Sequence, residues 1–375
     1  MARAPINGTT LQWAREAMHV ERDELARAAR IGEEKIIQFE VGEAFPTLRQ
    51  LDAIAKKLDR TLAFFFTETP STPDVPNVVD YRSHNGEPIP SLLAREMRRA
   101  EQHRETVIDL DGLRSSPKMV GAITWKNAAT RAKQMRECLG LTDAFVPPES
   151  QGNQVLNFWR GLLEHHGFLV FQTTRIDLDA FRGLSIYHAN LPIILLNGAD
   201  SNNGKIFTLF HEVAHLVNRT SGMCDLDDAT GEEGIANAFA ASFLMPKGDV
   251  ETAAQAFRGS AMECAEVIAK TFKVSVLAAG VRLRTLDLIS EAELSSIRNE
   301  SNHRWADVRD ARKKRTGGPP PWRTRYRDLG SGYVGTIARA LEEDRVDLLD
   351  ASYLMNARVP MVRQILDEYY KTEGR

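Results

Sequence analysis

The sequence is poor in cysteine, with Cys138, Cys224 and Cys264 the only three in 375 residues. Their odd number and wide scatter argue against a disulfide framework and predict reduced thiols, as in a cytoplasmic protein. The chain has no basic-then-apolar opening and no run of about 18 apolar residues, so neither a secretory leader nor a membrane span is expected. Charge of one sign is also lacking in excess. The net charge of −3 gives no global field toward nucleic acid or acidic lipid, and leaves any such contact to a local patch. No internal repeat is visible. What is present is a globular composition, 43% hydrophobic and 26% charged, in a chain too long for one ordinary core. We therefore expect a multidomain protein, and the helical spacing traced along the chain makes it mainly α.

Residues 10–66 read as a run of short helices. LQWAREAM carries apolar residues at helical spacing, DELARAAR follows a short break, and Ile31-Gly32 makes a turn into EEKIIQFEVG. Pro46-Thr47 then opens TLRQLDAIAKKLDR, where Leu48, Leu51, Ile54, Ala55 and Leu58 form an apolar stripe. Two short helices joined by a tight turn, inside a unit of this size, form a helix-turn-helix layout. The cadence Glu40-x-Gly42, Pro46-Thr47 and a leucine-rich last helix resembles the XRE, or phage-repressor-like, family. That resemblance implies a five-helix DNA-binding domain over 1–66, with operator DNA as partner and a tendency to dimerise.

Lys35 and Gln38 are the candidate base readers and Arg49 the candidate phosphate contact. Two features oppose DNA binding. Lys plus Arg and Asp plus Glu each number 10 over residues 1–66, and Glu33-Glu34 open the helix that would enter the groove.

Residues 67–90 are rich in Pro, Ser and Thr and read as a linker, followed by a long amphipathic helix, so that 67–120 separates two domains. A second domain, 121–289, starts with helices AATRAKQMRECLGL and NQVLNFWRGLLEHHG, the latter stopped by Gly167. FLVFQT, FRGLSIYH and LPIILLN read as strands of a small sheet, the last two joined near Asn190. Asp200 to Asn203 supply cap residues for KIFTLFHEVAHLVN. EEGIANAFAASFLM is a further helix ended by Pro246, and two more helices follow. Residues 290–375 read as a basic linker and a C-terminal helical region. The stretch 303–327 holds nine Lys or Arg against two Asp around a Gly-Gly-Pro-Pro-Pro run.

Within the helix FTLFHEVAHLVN stands His211-Glu212-Val213-Ala214-His215. Positions i and i+4 share a helix face, so both imidazoles can aim at one ion, with Glu212 beside them to reach a water. A catalytic zinc needs a third protein ligand and an open position. Glu233, at the start of the next helix, is the candidate; Glu232 is its rival, and Asp225, Asp227 and Asp228 form a weaker one.

From about Trp125 to Leu288 the chain resembles the ImmA/IrrE family of metallopeptidase-like proteins. The resemblance is carried by Asn157-Phe158-Trp159-Arg160, Glu164-x-x-Gly167, RGLSI, the strand from Pro192, FTLFHEVAHL and the run from Glu233 to Pro246. It implies an α+β zincin-like fold, with His211, His215 and Glu233 as metal ligands and Glu212 as the catalytic acid/base. It also implies Zn2+, or Mn2+, as cofactor, and a repressor or a toxin or antitoxin protein as substrate or partner. The alternative function is a non-proteolytic transcriptional regulator or antitoxin whose metal domain senses or binds a partner.

Asn237 is a candidate to hold a ligand, and Tyr187, His188 and Arg182 are candidate substrate contacts. Strand GLSIYH is expected to be an edge to which an extended substrate adds. Cys224 reads as an ordinary thiol.

Overall fold

A computed structural model describes residues 3–70, 79–80, 89–113, 116–142, 145, 147, 153–174, 176–220, 222–223, 231–313 and 317–372. The chain divides into two compact units, Met1–Asn77 with Ser83–Gln102, and Val78–Arg82 with His103–Arg375. The architecture is mainly helical with one small sheet. No helix among the described residues is long and apolar enough to cross a membrane.

The first unit contains α1 (Gly8–Ala17), α2 (Arg22–Ala29), α3 (Glu33–Glu40) and α4 (Leu48–Lys57), then a 3-10 turn (Ala63–Phe66). Its core is the set of apolar positions that share one face of each helix, among them Leu11, Ala14, Leu25, Ile36, Phe39, Leu51 and Ile54. Asn7 caps α1, and a Thr47–Gln50 capping box starts α4. Glu40 is buried, and its carboxylate accepts from Arg15 Nε at 2.6 Å and Arg22 Nε at 2.8 Å. One acid thus ties α3 to both α1 and α2. Gly42, at φ 77°, ends α3 in the left-handed region that favours glycine. Glu40-x-Gly42 is therefore a folding signal, and carries no information about what α3 touches.

The elements that follow are β1 (Val79–Asp80), α5 (Ser91–Asp111), α6 (Ala128–Cys138), α7 (Asn153–His165), β2 (Leu169–Thr173), β3 (Gly183–Ile186) and β4 (Ile193–Asn197). Then come α8 (Asn202–Asn218), β5 (Gly222–Met223), α9 (Gly231–Leu244), α10 (Lys247–Ala256), α11 (Ala261–Phe272) and α12 (Val276–Thr285). The chain closes with α13 (Glu291–Lys313), α14 (Pro321–Leu329), α15 (Ser331–Glu342), α16 (Leu348–Leu354) and α17 (Val359–Thr372).

In the second unit the sheet order is β1-β5-β3-β4-β2. β3 and β4 form the expected antiparallel pair, Gly183 opposite Leu196 and Ile186 opposite Ile193, while β2 runs parallel to β4. β2, β3 and β4 are buried along their whole length, which explains why they read as continuous apolar runs. Helices pack on the sheet around Trp159, which meets Phe210 edge-on at 5.1 Å and Phe243 at 5.8 Å between centroids.

Two expectations are corrected. β3 is not a sheet edge: Leu184 and Ser185 pair with Met223 and Gly222 of β5 on the side away from β4. A two-residue strand has too little sequence pattern to be read in advance. Much of the stretch 303–327 is helical where a linker was expected, because helix α13 runs on to Lys313 and α14 begins at Pro321. Proline in the first turn of a helix lacks only an N–H that would have no partner there, so Pro321 starts α14 where it reads as a breaker. Helix α10 follows Pro246 directly and had no counterpart in the sequence reading. The linker reading of 67–90 falls mostly outside the described residues.

The C-terminal helices belong to the second unit. The Arg160 guanidinium on α7 donates to the carbonyls of Arg327 at 2.6 Å and Leu329 at 2.7 Å, while its Nε holds Glu164 at 2.9 Å. Glu164 in turn accepts from the Gly332 N–H at 3.1 Å.

Candidate metal centre

Helix α8 is capped by Ser201, whose Oγ accepts from the Gly204 N–H at 3.0 Å. Its apolar faces are buried between sheet and helices, so even its polar middle, His211, Glu212 and His215, lies inside the protein. Helix α9 crosses it, and the contact is fixed by Phe210 and Phe243, stacked at 4.0 Å between centroids. That stacking sets the first turn of α9 opposite the histidine pair. His211 Nε2 lies 3.1 Å from Glu233 Oε2, His215 Nε2 3.2 Å from Glu233 Oε1, and the two Nε2 atoms 3.1 Å from each other.

The other ring nitrogens face acceptors. Asn237 Oδ1 stands 2.9 Å from His211 Nδ1, and Thr220 Oγ1 stands 2.9 Å from His215 Nδ1. The Thr220 hydroxyl spends its own proton on the His215 carbonyl, at 3.3 Å. Each Nδ1 is therefore the donor, and each Nε2 turns a lone pair inward. Two lone pairs and a carboxylate converging at this distance repel one another unless a cation sits among them. The donor set fits a divalent ion: two neutral imidazoles and a carboxylate are three protein ligands, the number that a catalytic zinc site combines with a fourth position left to water. Among the described residues this is the one group of three His, Cys, Asp or Glu side chains placed to hold a metal.

A proton can take the ion's place among the same atoms. Burial works against the Glu233 charge, but hydrogen bonds and charge from protonated His211 and His215 more than offset it and hold the carboxyl at about 2. Burial, reinforced by the neighbouring His215, pulls His211 below its usual value. At His215 burial also opposes the charge, yet the Glu233 hydrogen bond and the charges of Glu212, Glu233 and Glu232 raise it.

Glu233, and not Glu232, brings its carboxylate to the imidazoles. Glu232 is exposed and accepts from Asn218 Nδ2 at 3.4 Å. Asp225, Asp227, Asp228 and Cys224 lie outside the described residues. Glu212 is fully buried on α8 beside His211, its carboxylate against the backbone of β3 at Gly183. Asn237 is placed as expected.

Two of the remaining candidates have partners of their own. Arg182 pairs with Asp200 at 3.6 Å, about three turns before His211 along α8. Tyr187 and His188 lie just past the end of β3, and Arg219 sits over the Tyr187 ring at 5.3 Å. Thr220 and Gly183 escaped the sequence reading. Thr220 reaches back to His215 because Arg219, at φ 58°, turns the chain at the end of α8, and no residue pattern announces such a turn.

In the first unit, Lys35 and Arg49 are exposed and Gln38 is half-buried, with Lys35 Nζ donating to Gln38 Oε1 at 2.8 Å.

Residues 164–284 match the family model of the M78 peptidases, described as the IrrE N-terminal-like domain. The match spans β2, β3, β4, α8 and α9, and so every residue of the centre described above. No curated protein matches the chain. Among solved structures, Bacillus thuringiensis PlcR in complex with the peptide PapR7 and DNA shares 13% identity, covering 83% of this chain and 98% of that one, at a TM-score of 0.16. ComR from S. thermophilus, in complex with DNA and its signalling peptide ComS, shares 13% identity over 81% and 94%, at a TM-score of 0.17. Likeness at those scores carries no argument about this chain.

Proposed function

We propose that the protein is a zinc-dependent metallopeptidase-type regulator that hydrolyses a peptide bond in a regulatory protein, a repressor or a toxin or antitoxin partner. The observation that carries this reading is the convergence of His211 Nε2, His215 Nε2 and the Glu233 carboxylate, with both Nδ1 atoms held from behind. When bound there, a zinc or manganese ion supplies Lewis acidity, making a water acidic near neutral pH and polarising a carbonyl. His211, His215 and Glu233 hold it, and Asn237 and Thr220 orient the two rings. Glu212, on the same helix, takes the proton of the attacking water and delivers it to the leaving nitrogen. The family match over 164–284 supports the same chemistry. The XRE-like first unit directs this activity to transcription control.

The test is a comparison of metal-loaded wild type with Glu212→Gln on regulatory proteins encoded beside it. A defined fragment made by the wild type and not by the variant supports peptidase action. Full metal occupancy with every such protein left intact defeats it.

A second reading is a DNA-binding regulator or antitoxin whose metal domain acts as sensor. It is favoured by the exposure of Lys35 and Arg49 around a helix-turn-helix formed by α2 and α3. A salt series of gel shifts on the protein's own promoter decides it: sequence-selective, salt-dependent binding supports operator contact through Lys35, Gln38 and Arg49.

A further inference from the structure

Thr208 stands one helical turn before Glu212 on α8, and both are fully buried. Residues four apart share a helix face, and here the shared face meets β3 at a single point. A carbon added to Gly183 would lie 2.3 Å from Thr208 Cγ2 and 2.6 Å from Glu212 Oε1. The methyl of Thr208 and the carboxylate of Glu212 are thus neighbours above the same bare stretch of backbone.

The other branch of Thr208 is an oxygen without a use in the fold. Its Oγ1 is buried and makes no hydrogen bond. A helical threonine commonly donates that hydroxyl to the carbonyl one turn back, and Thr208 does not. A buried hydroxyl left alone destabilises a protein, and a valine of the same shape would avoid the cost. Beside Thr208 the group that gains from a donor is the Glu212 carboxylate. A turn about the Thr208 Cα–Cβ bond sets the hydroxyl where the methyl now lies, next to Oε1 and against Gly183.

Thr173, on β2, is the contrast. Its Oγ1 is also buried without a hydrogen bond. Gln172 lies opposite Leu196, and Leu196 opposite Gly183, so Gln172 shares the sheet face turned to α8. Thr173, the next residue along the strand, belongs to the opposite face.

We propose that Thr208 is a positioning residue for Glu212, its hydroxyl donating to the carboxylate and holding it over Gly183. The proposal rests on the peptidase reading given above, in which Glu212 is the acid/base. A carboxylate that takes a proton from water and passes it on needs one oxygen fixed and the other aimed. Gly183 leaves the space, and Thr208 supplies the hold.

The first test needs no substrate. Zinc-loaded full-length protein is melted as a cycle of wild type, Thr208→Val, Glu212→Gln and the double variant. With the carboxylate present, loss of its donor should lower the melting temperature by at least about 2 °C. In the Glu212→Gln background the same substitution should cost less or stabilise, because the charge that needed the donor is gone. Thr173→Val makes the same chemical change on the other face of the sheet, and its effect should be equal in both backgrounds. Equal shifts for Thr208→Val in both backgrounds overturn the proposal.

The second test reads hydrolysis, on the regulatory protein that the wild type cuts. Thr208→Val should lower kcat about tenfold and leave KM unchanged. Thr208→Ser, which keeps the hydroxyl, should retain the rate, and Thr173→Val should cleave as the wild type does. A loss in Thr208→Ser equal to that in Thr208→Val assigns the residue to packing and overturns the proposal. Thermal coupling in a protein that cleaves nothing keeps the bond between Thr208 and Glu212, and defeats only the peptidase reading.

Discussion

Gly183 and Glu212 are in contact: a methyl carbon on Gly183 would fall 2.6 Å from Glu212 Oε1 and 2.3 Å from Thr208 Cγ2. The strand backbone is thus the wall against which the carboxylate rests, and any side chain there must push it. Gly183→Ala is expected to keep its metal but lose hydrolysis by about 100-fold, as sub-ångström positioning errors do. Metal content by mass spectrometry and cleavage rate, measured together, check this. Normal cleavage would show that Glu212 does not need its place.

The ligand assignment separates two adjacent acids. Glu233→Ala should lose most bound metal, whereas Glu232→Ala, whose carboxylate faces solvent and Asn218, should retain it. Retention by the first and loss by the second would move the ligand by one residue.

Asn237→Ala and Thr220→Ala each remove the acceptor behind one imidazole. Metal affinity is expected to fall by about 10- to 100-fold in each, with the fold intact. Competition with a chromogenic chelator reads the constant directly, and an unchanged constant in both would show that the rings need no help.

The first unit carries a pH-dependent clasp. Asp59 follows α4 at φ 53°. It is held by Arg98 at 2.6 Å and by Arg99 at 2.7 Å, both from α5. Burial raises the Asp59 pKa, but the hydrogen bonds and charges of Arg99 and Arg98 outweigh it and leave the group below 3.8. Its stabilisation is therefore complete above the unfolded value and disappears as pH falls through the lower folded one. Asp59→Asn should cost about 1–3 kcal/mol at neutral pH and less at a pH below the ordinary carboxylate value. Thermal melts at the two pH values test the sign, and an equal cost at both would refute the linkage.

The histidine pair was legible because helical geometry alone puts residues four apart on one face, and Glu233 because it opens the next buried helix. The expected helices and the β2 to β4 sheet followed from apolar spacing. What was not legible depended on distant partners. Thr220 reaches His215 through a left-handed turn at Arg219, which nothing in the local pattern requires. β3 looks like an edge until Gly222 and Met223 pair with it. Basic residues and prolines around 303–327 suggested a linker, but Pro321 occupies the one helical turn that tolerates it. Lys35 and Gln38 are where they were expected, yet they bond to each other.

The stacked rings of Phe210 and Phe243 have a consequence for how variants are scored. The three donors come from two helices, and the spacing between those helices is kept by a contact inside the apolar core. Phe243→Leu, which touches no donor, should loosen that spacing and shed metal. A screen reading activity alone would then count Phe243 as part of the centre. Its lowered melting temperature would betray the error, because a true ligand variant loses its ion before it loses its shape.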